Sequence, residues 1–267
     1  MPASPATLRC QTGVVETTYV KRRPPAEPGS IPDRLQMFTR EVRFYTEVGR
    51  DVGVRIPRLV RAEVNEGATL LELEDLSSWR EGAEPVAAVR TLSALHGRWA
   101  GRAVDTFPWL PRADVSDLVE DYFSERWTVI RERSDVTPSV RDLGDSLVGA
   151  VAAAGAEAEL AGPRTLTHGD ASGRNMRTSG AGEVALLDWE DVGVGPGIGD
   201  VAWFLLSSAE ADLWEEALDA YDDSTGFTTV LPVTCIQGLL SLDAHDDGSG
   251  AAGQWIRNLE AADARLR

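Results

Sequence analysis

The sequence predicts an α+β fold in two lobes, a small antiparallel-sheet lobe over residues 1–76 and a mostly helical lobe over 77–267. Three observations predict it. Alternating and β-branched residues dominate the chain before residue 76, whereas apolar residues recur at helical spacing after Pro85. Between them in character, a polar glycine-containing loop at 168–175 leads to the short apolar run 184–187.

Residues 7–21 alternate loosely and carry Val14, Val15, Thr17, Thr18 and Val20, which predicts strands ending at Lys21. The run from Arg22 through Pro24, Pro25 and Pro28 to Gly29 breaks regular structure and reads as a loop. A helix follows, because Phe38, Val42, Tyr45 and Val48 share one face and leave Glu41 beside the buried stripe. Residues 54–62 and 68–73 read as two strands joined at Asn65, Glu66 and Gly67, which supply the backbone freedom of a tight turn.

Beyond the strands the pattern is helical. Residues 85–102 place Val86, Val89, Leu92, Leu95, His96 and Trp99 on a broad face, with Pro85 suited to a first turn and His96 read as a structural histidine between helices. Residues 117–133 repeat the pattern through Leu118, Tyr122, Phe123, Trp127 and Ile130, an aromatic stripe read as core. The Ala-rich stretch 139–160 has the propensity for one further helix. After a glycine-rich turn at 193–199, Asp200 is placed to cap the next helix. Stretches 211–221, 231–245 and 253–266 close the lobe as helices, with His245 in a polar loop.

The chemistry concentrates in His168, Gly169, Asp170, Ala171, Ser172, Gly173, Arg174 and Asn175, followed by Asp188, Trp189 and Glu190. Gly169 and Gly173 allow a loop tight enough for Asp170 and Asn175 to converge. The run 184–187 reads as a buried strand that sets Asp188 at its exposed end. One carboxylate can then orient an attacking hydroxyl while the amide and the second carboxylate hold Mg²⁺ against nucleotide phosphates. A polar turn with a strand-end acid is the bland alternative.

His-Gly-Asp, four residues, then Asn, followed by Leu186, Leu187, Asp188 and Trp189, resembles the aminoglycoside phosphotransferase family, small-molecule relatives of the protein kinases. Val20-Lys21 and the stretch from Arg40 to Tyr45 look like that family's small lobe, which extends the resemblance beyond the loop. The resemblance implies a protein-kinase-like fold that moves the γ-phosphoryl group of ATP or GTP to a hydroxyl. It implies Asp170 as the catalytic carboxylate that accepts or orients the hydroxyl proton, and Asn175 and Asp188 as Mg²⁺ ligands. Lys21 would touch the α and β phosphates and pair with Glu41, for which Glu47 is the competitor, while main-chain groups near Glu74 and Leu76 would bind the base. Taken alone, Lys21, Arg22 and Arg23 read as a solvated basic edge.

Two departures from the pattern matter. Twenty residues precede Lys21 and contain one glycine, Gly13, so Gln11, Thr12 and Gly13 form at most a short phosphate cover. A pared-down cover, a start assigned too late and a chain that no longer binds ATP normally are the three expectations for this stretch. Ser172 stands where protein kinases often carry a lysine, and Arg174 is the alternative source of positive charge in the loop.

Composition bounds the rest. With 267 residues, 43% hydrophobic and 26% charged, the chain reads as an ordinary soluble globular protein with ample core. A formal charge of −17 argues against nucleic acid as a partner and is compatible with a cationic acceptor. Acidic Asp114, Asp117, Glu120, Asp121 and Glu125 could face such an acceptor, although a solvated helix face is the better account of them. Two distant cysteines, Cys10 and Cys235, indicate neither a disulfide framework nor zinc. No apolar run is long enough to span a membrane and the start lacks signal-peptide character, so a cytoplasmic location is expected. The acceptor class is a small hydroxylated molecule such as an antibiotic, aminosugar or nucleoside, or a peptide Ser or Thr. The alternative is a degenerate kinase-like partner protein without catalysis.

Overall fold

A computed structural model of the chain describes residues 6–7, 17–111 and 114–267. The strands expected at Val14 and Val15 and the short cover at Gln11, Thr12 and Gly13 lie outside the described residues. The chain falls into two compact units. The first takes residues up to Glu84 together with His168–Gly193, and the second takes Pro85–Thr167 with Val194–Arg267.

In the first unit β1 (Ala6–Thr7), β2 (Thr17–Arg23), β3 (Leu59–Asn65) and β4 (Ala68–Glu74) form an antiparallel sheet in the order β1-β2-β4-β3. Alternation along β4 buries Thr69, Leu71 and Leu73 on one face. Lys21 pairs in register with Leu71, near the end of β2. Glu66 (φ 49°) and Gly67 (φ 83°) supply two consecutive left-handed residues, the geometry of a two-residue hairpin between β3 and β4. The strand expected over 54–62 starts later than its sequence suggests, at Leu59. Pro57 has no N–H for a ladder, and Arg55 makes only an isolated bridge to Ala185.

The short helix α1 (Ile31–Arg34) is capped by the Ser30 side chain, and α2 (Met37–Arg43) runs on into a π-helical turn at Phe44–Val48. Val42, Tyr45 and Val48 are buried as the helical spacing predicts, with Glu41 and Phe44 buried beside them, whereas Phe38 of the expected stripe is only half-buried. After β5 (Arg80–Glu81) the chain leaves the unit and later returns with β7 (Met176–Thr178) and β8 (Val184–Leu186), which complete a sheet in the order β5-β7-β8. Every residue of β8 is buried, which accounts for its unbroken apolar run.

The second unit is helical: α3 (Pro85–Trp99), α4 (Ala103–Thr106), α5 (Ser116–Ile130), α6 (Pro138–Leu147) and α7 (Val151–Ala158) lead to β6 (Arg164–Thr167). Strand β9 (Gly193–Pro196) pairs with β6, and α8 (Ile198–Ser208), α9 (Trp214–Leu218), α10 (Phe227–Leu242) and α11 (Gly250–Leu266) follow. Leu92, Leu95, Phe123, Ile130, Leu205 and Leu239 are fully buried in its core.

Three expectations here are corrected. The helix expected over 139–160 is two helices, broken at Gly149 (φ 77°), where the Glu120 carboxylate accepts the N–H groups of Gly149 and Val151. Glu120 is thereby committed to the backbone. Tyr122 leaves the aromatic core face and is 50% exposed, because the buried stripe of α5 runs through Phe123, Trp127 and Ile130. Asp200 does not cap α8, which starts at Ile198; it lies buried in the first turn with Oδ2 3.1 Å from His96 Nε2. His96, with Tyr221 Oη 2.9 Å from its other ring nitrogen, is a buried packing histidine as expected. Among the described residues no helix is long and apolar enough to cross a membrane.

Candidate functional site

The site grows from the end of β8. Its apolar residues must be buried, so the polar residue that follows emerges at the strand end, and Asp188 does so in a left-handed conformation (φ 61°). For a non-glycine residue this backbone is costly and must be held by its surroundings. Trp189 supplies the hold: fully buried, it stacks on Phe44 with ring centroids 4.0 Å apart and donates Nε1–H to Leu186 O. The same stack ties the end of β8 to the helical segment that carries Glu41.

The preceding loop is pinned by His168, whose Nε2 lies 2.8 Å from Leu187 O while Nδ1 accepts the Asp170 N–H at 3.3 Å. Both contacts fit one tautomer, with the proton on Nε2. Gly169 turns the chain at φ 85°. Asn175 Nδ2 donates to Asp170 O at 2.9 Å and to Asp170 Oδ2 at 2.8 Å, and the Leu187 N–H donates to Asn175 O. Asp170, Asn175 and the residue before Asp188 are thus locked together by short hydrogen bonds. Arg174 Nη2 lies 3.1 Å from Asp170 Oδ2.

Lys21 reaches this cluster from β2. Its Nζ is 2.8 Å from Glu41 Oε2, 2.5 Å from Asp188 Oδ1 and 3.0 Å from Glu190 Oε2. The side chain is 11% exposed and that of Glu41 3%. Burial works against the Lys21 ammonium, yet the three carboxylates outweigh it and hold its pKa above the ordinary lysine value. Burial also pushes the Glu41 carboxyl up to about 7 against the pull of Lys21. Glu47, the competitor, is an exposed partner of Arg43 instead.

Lys21, Glu41, Glu74, Leu76, Asn175 and Asp188 all line one cavity of about 260 Å³ within the first unit. Asp170 is bonded to its Asn175 wall. The Glu74 side chain is turned to structure, accepting from Arg55 Nη2 at 2.7 Å and from the Arg58 N–H at 3.0 Å. Burial tends to raise its pKa, but these donors hold the carboxyl below its usual value. Leu76 is buried and its carbonyl accepts the Trp79 N–H.

Sequence reasoning missed three participants. Glu190 shares Lys21 with Asp188 and also accepts from Arg23 Nη2 at 3.0 Å, a role signalled only by its place two residues after Asp188. Arg23 itself lies over the Phe38 ring. Tyr45, read as core spacing, lines the cavity with a buried hydroxyl that has no hydrogen-bond partner among the described residues. Among the described residues the carboxylates of Glu41, Asp188 and Glu190 also form a group whose oxygens lie within 4.8 Å of one another.

Solved structures share this fold over most of their length. Choline kinase LicA from Streptococcus pneumoniae aligns with a TM-score of 0.54 at 16% identity, covering 97% of this chain and 89% of that one. The macrolide 2'-phosphotransferase MphH from Brachybacterium faecium gives 0.51 at 19%, covering 98% and 87%. Spectinomycin phosphotransferase in complex with ADP and spectinomycin gives 0.54 at 10%, covering 99% and 90%. At these identities the similarity is one of fold, the α+β protein-kinase-like architecture that the sequence predicts. No match arises among curated protein sequences. The sequence profile of the phosphotransferase enzyme family, in contrast, aligns with residues 2–233, from before β2 into α10, and the chain therefore belongs to that family.

Proposed function

We propose that this phosphotransferase moves the γ-phosphoryl group of ATP, or of GTP, to a hydroxyl of a small molecule. The observation that carries the reading is the convergence of Lys21, Glu41, Asn175 and Asp188 on one cavity, with Asp170 hydrogen-bonded to Asn175. In this reading Lys21, held by Glu41, positions the α and β phosphates, and main-chain groups near Glu74 and Leu76 bind the base. The Asn175 amide oxygen and the Asp188 carboxylate are hard oxygen donors, and Asp188 Oδ1 already accepts a cation, the Lys21 ammonium. That donor set fits Mg²⁺. When bound, Mg²⁺ supplies neutralisation of charge on the phosphates.

Asp170 takes the proton of the acceptor hydroxyl. The acceptor oxygen bonds to the γ phosphorus, the bond from that phosphorus to the β–γ bridging oxygen breaks, and ADP leaves with the electron pair. Catalysis then rests on positioning and preorganised charge. The division of labour at residue 76, nucleotide before it and acceptor after it, is part of the proposal.

For the acceptor we infer a hydroxylated small molecule such as an antibiotic, aminosugar, amino alcohol or nucleoside, with a peptide Ser or Thr as the variant. The formal charge of −17 is compatible with a cationic one. The test is ADP release across such a panel, with wild type and Asp170→Ala. Loss of a general base predicts a fall in turnover of about 10²–10⁴-fold. Equal turnover in the variant refutes the assignment of Asp170, and nucleotide binding without turnover on any acceptor favours a non-catalytic partner protein.

A further inference from the structure

The cavity contains more acid than base, and its cations are not equally available. Lys21 is buried and shared among Glu41, Asp188 and Glu190. Arg177 is fastened by Nη1 to the carbonyl oxygens of Arg174 (3.0 Å) and Met176 (2.8 Å), so it braces the loop. Arg174 differs from both. It lines the same cavity, its side chain is 70% exposed, and its contact with Asp170 Oδ2 is one ion pair at 3.1 Å between residues four apart.

We propose that Arg174 is a further catalytic residue, a mobile guanidinium that exchanges Asp170 for the terminal phosphate of a bound nucleoside triphosphate. The inference rests on the phosphotransferase reading and adds a residue to it. Relative strengths decide the direction of the exchange. An exposed ion pair on one turn of chain is worth little in water, whereas the guanidinium fork matches a phosphate with two charge-assisted hydrogen bonds. Asp170 does not lose its place when Arg174 leaves, because Asn175 Nδ2 holds the same Oδ2 at 2.8 Å.

The test compares Mg²⁺-ATP with Mg²⁺-ADP by isothermal titration, in wild type, Arg174→Ala, Asp170→Asn and the double variant. Arg174 is exposed, so its removal leaves the fold intact. The proposal expects Arg174→Ala to weaken ATP binding about tenfold, the scale of one charge-assisted contact, while ADP binding changes less than about twofold. Asp170→Asn releases the guanidinium and should tighten ATP relative to ADP, and that gain should disappear in the double variant. Arg174→Lys, which keeps the charge without the fork, should recover part of the ATP preference. Equal effects of Arg174→Ala on the two nucleotides overturn the proposal, as does a gain from Asp170→Asn that persists without Arg174. Failure of wild type to bind either nucleotide is a different outcome, and refutes the phosphotransferase reading itself.

Discussion

Removing Lys21 should cost stability in a way that depends on pH through Glu41. In Lys21→Ala the carboxylate of Glu41, 3% exposed, loses the ammonium 2.8 Å away and faces Asp188 and Glu190 without a cation between them. Breaking a buried pair from one side costs about 3–5 kcal/mol. The linkage points the same way: burial pushes the Glu41 carboxyl up to about 7 even against the pull of Lys21, so without the ammonium it rises further and its ionisation costs the variant more than the wild type. In wild type the attraction of Lys21 to three carboxylates offsets this cost; the variant has no offset. The folded pKa of Glu41 is raised, so the stability of its protonated form is fully present below pH 4.5 and is lost as pH rises through 7 and beyond. Urea midpoints for Lys21→Ala should therefore approach wild type near pH 4.5 and fall behind by about 3 kcal/mol at pH 8. Adding Glu41→Gln should restore most of the loss at pH 8. A deficit that is the same at every pH, or untouched by the second change, refutes the claim that Lys21 chiefly neutralises Glu41.

Two further predictions concern packing, one in each unit. Trp189→Ala removes a fully buried ring stacked on Phe44 and should destabilise by about 3–5 kcal/mol, with a matching loss of nucleotide affinity because Asp188 adjoins it. Thermal melts with and without Mg²⁺-ATP read both effects. In the second unit, the fork of Arg133 and the Gly248 N–H hold Asp135, and the Arg133 hydrogen bond first of all lowers its carboxyl to about 2. Asp135→Asn should cost about 2 kcal/mol at neutral pH. The depressed pKa means that this contribution is present above pH 3.8 and is lost as pH falls through 2, so the variant and wild type should converge in acid unfolding.

Much of the site is legible in the sequence because local chemistry dictates it. The loop from His168 to Asn175 is short enough that glycine placement forces Asp170 and Asn175 together, and the buried run of β8 leaves Asp188 no other position than the strand end. Glu41 is separable from Glu47 by helical spacing alone, since only Glu41 borders the apolar stripe. What the sequence hides is contact across long separations. Nothing local tells that Glu190 meets Lys21 and Arg23, because that meeting depends on how the β8 end docks on β2, through Trp189 and Phe44. Helix ends are hidden for a different reason. Favourable Ala propensity over 139–160 masks the single left-handed glycine at 149 that Glu120 exploits, and Asp200 looks like a cap until His96, more than a hundred residues earlier, is seen to claim its carboxylate.

The most direct test of the central claim is isothermal titration of the intact protein with ATP, with and without Mg²⁺, beside an Asp188→Ala variant shown to be folded by circular dichroism. The account predicts binding that needs Mg²⁺ and weakens by about 100-fold in the variant, as loss of a metal-site residue does. Binding that ignores both the metal and Asp188, or no binding by folded wild-type protein, contradicts it.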